Sequence, residues 1–208
     1  MNQPPRIEAK PNGPYLVKDL PDLRGADDAV IAPQAVVALC RCGGSATKPF
    51  CDGTHKKNGF SSAKQADPAR DRRDTYAGQR IAIHDNRAIC AHAGYCSGEL
   101  AAVFKYGSEP WIDPDGATRE AVIATIRKCP SGALSYSVDG IEQHDPTRAP
   151  GITVTKEGPY AIVGGIDLAG ETWAAGASTE HYTLCRCGAS KNKPFCDGSH
   201  WSVGFKDG

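Results

Sequence analysis

No apolar run in these 208 residues approaches the roughly 20 needed for a membrane-spanning helix, which predicts no membrane role. Residues 1–18 are polar and proline-rich, without the charged-then-apolar stretch of a secretory leader. Charge of one sign is missing too: 24 basic residues meet 24 acidic ones. A neutral chain lacks the electrostatic footprint of a nucleic-acid binder, so nucleic acid is not an expected partner. Nor does the sequence carry a nucleotide loop, a nucleophile constellation or a substrate-pocket signature, so no enzyme is expected. A soluble protein of one or two domains in a reducing cytoplasm remains.

What is there is cysteine. Nine of them are present, an odd number that argues against a disulfide framework. They fall into three groups: Cys40, Cys42 and Cys51; Cys90, Cys96 and Cys129; Cys185, Cys187 and Cys196. Thiols clustered in this way in a cytosolic chain point to metal ligation.

The first and third groups are copies. Residues 7–60 align without a gap to 152–205 at an offset of 145, with 24 of 54 positions identical. The match includes Gly13-Pro14-Tyr15 with Gly158-Pro159-Tyr160, so a whole module was duplicated rather than a metal site alone. Linkers at 65–74 and 139–151 bound a different sequence between the copies. The expected domains are therefore 1–64, 75–139 and 151–208.

The repeats read as mostly β. Ile152 to Val163 is broken at Gly158-Pro159, which predicts a hairpin, and His181 to Leu184 predicts a strand entering the cysteine pair. Each repeat is small for a generous core, so bound metal would add stability that burial cannot. The insert reads as α+β and βαβ-like: a strand at Arg80 to His84, a helix from Arg119 to Lys128 and a strand at Ala133 to Val138. Thr118 is the expected helix N-cap, and Val122, Ile123 and Ile126 its apolar side. His84, His144 and His181 lack thiolate neighbours at ligand spacing and read as structural or exposed.

Each repeat presents Cys-x-Cys-x8-Cys-x3-His: Cys40, Cys42, Cys51 and His55, then Cys185, Cys187, Cys196 and His200. Two cysteines one residue apart can share one metal atom. A cysteine and histidine four positions apart face one side of a helical turn and can share another. Asp52 and Asp197 are placed to cap that turn, and Gly53 and Gly198 let backbone come close. Zinc accepts the same donors, and Cys-x3-His also ends RNA-binding zinc fingers, although those space their first cysteines more widely.

Cys51-Asp52-Gly53-Thr54-His55 and Cys196-Asp197-Gly198-Ser199-His200, each preceded by Cys-x-Cys and Lys-Pro-Phe, resemble the CDGSH (mitoNEET-like) iron–sulfur domain family over about 54 residues per repeat. The resemblance implies a 2Fe-2S cluster on three cysteines and one histidine, and a fold in which two motifs pair through exchanged strands. Here the pair would form within one chain, as a monomeric pseudo-dimer without a membrane anchor. Thr54 replaces the family's serine and keeps the hydroxyl.

In the insert, Cys90-Ala91-His92-Ala93-Gly94-Tyr95-Cys96 with Cys129-Pro130 resembles a ferredoxin signature. Ala93 stands where the middle cysteine would be. The segment also resembles the divergent mono-cluster ferredoxin family over roughly 60 residues. Three thiolates suit a 3Fe-4S cluster; His92 as a fourth ligand would suit 4Fe-4S. The expected function is one-electron transfer to a redox protein partner, with cluster storage or donation to an apo-protein as the alternative.

Overall fold

Runs of β-branched and aromatic residues, cut by Gly-Pro and Asp-rich turns, give the repeats strands of two to four residues instead of helices. The structure, a computed structural model, describes residues 4–32, 34–143 and 145–207; His144 lies outside them. The first repeat supplies β1 (Arg6–Ala9), β2 (Tyr15–Lys18), β3 (Leu23–Arg24), β4 (Val30–Ile31) and β5 (Val36–Leu39). The insert supplies β6 (Asp74–Ala77), β7 (Ala82–Asp85), α1 (Tyr95–Glu99), α2 (Arg119–Ile126), β8 (Leu134–Val138) and β9 (Ile141–Glu142). The second repeat supplies β10 (Gly151–Val154), β11 (Tyr160–Val163), β12 (Asp167–Leu168), β13 (Tyr182–Leu184) and α3 (Ser199–Ser202).

Two sheets are built from both repeats, in the orders β12-β1-β2-β5 and β13-β11-β10-β3-β4. β3 leaves its own repeat and pairs in parallel with β10, Leu23 opposite Ile152. β12 returns the exchange on β1, Leu168 opposite Ile7. These two pairings are the same pairing under the 145-residue offset, so the halves are related as the subunits of a strand-exchanged dimer. Strand alternation turns Tyr15 and Val17 of β2, and Tyr160 and Ile162 of β11, into one common core with Ile7, Leu23, Ile152 and Leu168. Each such side chain gains roughly 1.5–3 kcal/mol on full burial. Neither repeat closes this core alone. The fold is mostly β, with a small α+β insert, as the sequence implied.

The insert has its own core, including Ile83, Phe104, Trp111, Val122, Ile126 and Tyr136. Its sheet runs β6-β7-β8-β9 and is antiparallel throughout, which corrects the βαβ-like reading. Two helices, not one, lie between β7 and β8. The excursion therefore brings the chain back to the end of β7 where it left, with Leu134 opposite Asp85. Thr118 Oγ1 accepts from the Ala121 N–H at 3.3 Å and caps α2 as expected. The helix stops at Ile126, two residues early, because Lys128 and Cys129 bond back three residues to Thr125 and Ile126 in a tighter turn. Among the described residues, no helix is long and apolar enough to cross a membrane.

Candidate metal centres

The ligand loops begin where β5 and β13 end. The Cys40 N–H donates to Pro49 O at 2.7 Å and the Cys51 N–H to Ala38 O at 2.8 Å, which folds the Lys-Pro-Phe segment back beside the Cys-x-Cys pair. The second repeat does the same, Cys185 to Pro194 at 2.8 Å and Cys196 to Thr183 at 3.0 Å. Cys40 and Cys42 then hold their sulfurs 3.9 Å apart, and Cys185 and Cys187 theirs 3.8 Å apart. Across each motif the cysteine sulfur lies 3.4 Å from histidine Nδ1, for Cys51–His55 and for Cys196–His200. Two thiolates on one tetrahedral metal, with bonds of about 2.3 Å, stand about 3.8 Å apart, and a thiolate and an imidazole about 3.6 Å. All four pairs fit that spacing. Among the described residues, however, no three of these thiol and imidazole donors gather within 4.8 Å of one another. Each set is two pairs, not one tetrad.

The Cys-to-His turn needs glycine. Gly53 and Gly198 sit at φ +87° and +83°, the left-handed region that other residues rarely adopt. Asp52 accepts from the Ala46 and Thr54 N–H groups at 2.9 Å each, and these donors hold its carboxyl well below the usual range. Asp197 accepts from Lys191 at 2.8 Å and Ser199 at 3.0 Å; burial pushes its carboxyl up, but these bonds outweigh it. Each aspartate thus holds the first N–H of its turn, from one residue before the Gly53 and Gly198 N-caps. Backbone N–H groups also face the thiols, Gly44 toward Cys42 and Ala189 toward Cys187, each at 3.4 Å. The Cys185 thiol hydrogen-bonds Cys187 and holds it down to about 6, while burial pushes Cys196 up to about 12.

The two loops meet at the centre of the exchanged dimer, where Cys42 and Cys187 form a β-bridge. A Cβ on Gly43 would stand 2.5 Å from Cys187 O, and one on Gly188 2.6 Å from Cys42 O. Tyr15 and Tyr160, which the sequence marks only as part of the repeated Gly-Pro-Tyr, reach across to the opposite repeat. Tyr15 Oη donates to Cys185 O and Pro194 O at 3.0 and 2.9 Å, and Tyr160 Oη to Cys40 O and Pro49 O at 2.9 and 3.1 Å. Each repeat thus braces the other's ligand loop.

In the insert, Cys90 follows a short turn capped by Asn86, Cys96 lies on α1, and Cys129 follows α2. The three line one cavity of about 300 Å³ with His92, Ala93 and Asp85. Burial pushes Cys90 up to about 11. His92 is exposed, and its backbone N–H faces Cys90 Sγ at 3.4 Å. Asp85 escaped the sequence reading. It lies on the same face of β7 as Ile83, is 1 % exposed, and neither carboxylate oxygen accepts a hydrogen bond; Arg87 Nε stands 3.4 Å away. Burial pushes it up to about 6. The available signal was the inward register of Ile81, Ile83 and Asp85.

Two further histidines have structural partners. His84 bonds Thr75 and Ser137 at 2.9 and 2.7 Å. His181 is buried beside Asp145 and Glu180, the three donors lying within 4.8 Å of one another, a grouping that sequence spacing did not reveal. Arg148 occupies Glu180, and the Ser178 hydroxyl bonds both Asp145 and His181, so that network is satisfied internally.

Comparison with known proteins agrees with this arrangement. The family described as iron-binding zinc finger CDGSH type matches residues 12–56 and 157–201. The family described as divergent 4Fe-4S mono-cluster matches residues 76–139. The chain is also 41% identical over 61 residues to the uncharacterised protein YjdI of Escherichia coli K12, a stretch covering 29% of this chain and 80% of that one. The YjdI of Escherichia coli O157:H7 matches to the same extent. No solved structure matches. The chain carries two iron-binding CDGSH-type domains with a divergent 4Fe-4S mono-cluster domain between them.

Proposed function

We propose that the protein is a monomeric one-electron carrier serving a redox protein partner. It holds two 2Fe-2S clusters, one on Cys40, Cys42, Cys51 and His55 and one on Cys185, Cys187, Cys196 and His200. Cys90, Cys96 and Cys129 hold a third cluster. The pairing of donors supports this reading most directly. One zinc ion would draw all four donors of a set to within about 3.8 Å. Pairs that are each spaced for one metal atom, yet do not converge on a common point, suit two irons in one group. The bound groups supply the one-electron couple. The chain's own part is to offer a histidine Nδ1, thiols that ionise against the metal, and backbone N–H donors that stabilise their charge.

For the insert, three thiolates and Ala93 favour 3Fe-4S. The family description favours 4Fe-4S, with His92 as the candidate fourth donor. A second use, donation of a cluster to an apo-protein, draws support from His55, whose half-buried ring solvent can reach. Protonation there would free the metal. An anaerobic iron and sulfide count with paramagnetic resonance spectra tests the assignment. About seven irons per chain fits two 2Fe-2S and one 3Fe-4S cluster, and about eight fits 4Fe-4S. About four would mean an empty insert, and metal without sulfide would sink the reading altogether. Reversible cycling without loss of iron then separates carriage from donation, which instead predicts release to apo-ferredoxin at mildly acid pH.

A further inference from the structure

The two CDGSH motifs are near copies, yet the fold does not treat them alike. Among the described residues, the hydrogen bonds that leave the insert run to the second repeat and the linkers. Asn192 Nδ2 donates to Ala88 O at 2.8 Å, and Asn86 Nδ2 to Ala175 O at 2.9 Å. Trp201 Nε1 donates to His92 O at 3.2 Å. The His92 ring lies over the second motif's turn so closely that a Cβ on Gly198 would fall 2.7 Å from His92 Cδ2. At the equivalent Gly53 a Cβ would meet nothing within 4 Å. As a result Cys196 and His200 are buried, at 3 % and 4 % exposure, while Cys51 and His55 are half-buried. Sequence divergence follows the same line. Trp201 and Ser202 flank His200 where exposed Lys56 and Lys57 flank His55. A second cavity joins the modules, lined by Ala93, Cys129 and Pro130 from the insert and by His200 and Trp201 from the second repeat.

We propose that His92 is a positioning residue that keys the insert's cysteine loop onto the second repeat's ligand turn. The three-cysteine site and the Cys185, Cys187, Cys196, His200 site then work as one coupled pair, and the first-repeat site, which meets the second at the Cys42–Cys187 bridge, is the solvent-facing one. This rests on the reading that all three sites hold clusters. It makes the electron's internal course ordered: between insert and second repeat it does not leave protein, the Cys42–Cys187 contact links the second repeat to the first, and exchange with a partner takes place at the first repeat.

The experiment is paramagnetic resonance on the anaerobically loaded, dithionite-reduced full chain, with iron and sulfide counted on the same sample. The expected spectrum shows magnetic interaction between the insert and second-repeat signals. That interaction should persist in Cys51→Ala, disappear in Cys196→Ala, and fall at least twofold in His92→Ala at an unchanged iron and sulfide count; a fall that comes with loss of one iron makes His92 a ligand and overturns its positioning role. Gly198→Ala should lower it likewise, whereas Gly53→Ala, with the same left-handed backbone strain but open space, should not. If Gly198→Ala fails to load, His92→Ala carries the test. A fully loaded chain without interaction, or one whose interaction survives Cys196→Ala, overturns the pairing. An equal response to His92→Ala and Gly53→Ala overturns the role of His92. An iron count showing an empty insert overturns the underlying reading, and this one with it.

Discussion

At the scale of single residues, the chain concentrates soft donors, nine thiols with His55 and His200 set beside two of their groups. Cysteine and histidine at Cys-x-Cys and Cys-x3-His spacing announce a metal because few other needs collect soft donors so densely. Asp85 announced nothing, since one aspartate in a strand is ordinary until its neighbours bury it. It now carries a prediction. An aspartate ionises near 3.9 in an unfolded chain, and burial raises Asp85 to about 6 in the fold. A raised carboxyl favours folding in its protonated form. The protonated side chain therefore carries no penalty below about pH 4, and the penalty grows as pH rises through about 6. Across two units this reaches up to about 3 kcal/mol at neutral pH. Asp85→Asn should therefore stabilise the metal-stripped full chain at pH 7.5 by roughly 1–3 kcal/mol and much less at pH 4.5. Urea unfolding followed through Trp111, in the same core, measures the gap; one that does not widen with pH would remove Asp85 as its source.

At the scale of elements, hairpins were readable from Gly-Pro turns and β-branched runs, and the insert's helix from Thr118 and its apolar side. β3 and β12 were not. Two residues each, they have no pattern of their own, and each takes an edge that the opposite repeat offers, β12 on β1 and β3 between β10 and its own β4. The tyrosine braces depend on the same exchange, so no reading within one repeat could find them. They predict that damage crosses over. Tyr160→Phe strips a donor from two carbonyls of the first ligand loop; Pro49 O keeps the Cys40 N–H, while Cys40 O is left a buried acceptor without the tyrosine, at about 1–3 kcal/mol. It should speed chelator release of iron from the Cys40–His55 site, and Tyr15→Phe should speed release from the Cys185–His200 site. Each rate is read in a chain whose other repeat is emptied by Cys196→Ala or Cys51→Ala. Acceleration confined to the mutated repeat's own site would show that the braces do not act as described.

At the scale of the whole molecule, resemblance implied a pseudo-dimer, but not which repeat the insert would lean on. That choice is written in long-range contacts, such as Asn192 to Ala88 and Trp201 to His92, that no local pattern encodes. The exchanged strands also fix what a fragment must do. Residues 151–208 alone keep β10, whose partner β3 is gone, and expose half of a shared core. Expressed alone, that segment should associate with a second copy of itself, which sedimentation equilibrium would detect; a stable, folded monomer would contradict the division of the core. Joining the halves in one chain has one more consequence. In a symmetric homodimer every mutation is inherited by both halves at once, so neither site can acquire a property without imposing it on its twin. Here position 56 keeps lysine while its counterpart 201 is tryptophan. Fusion breaks that bond of inheritance, and two descendants of one site are free to take up different trades inside a single molecule.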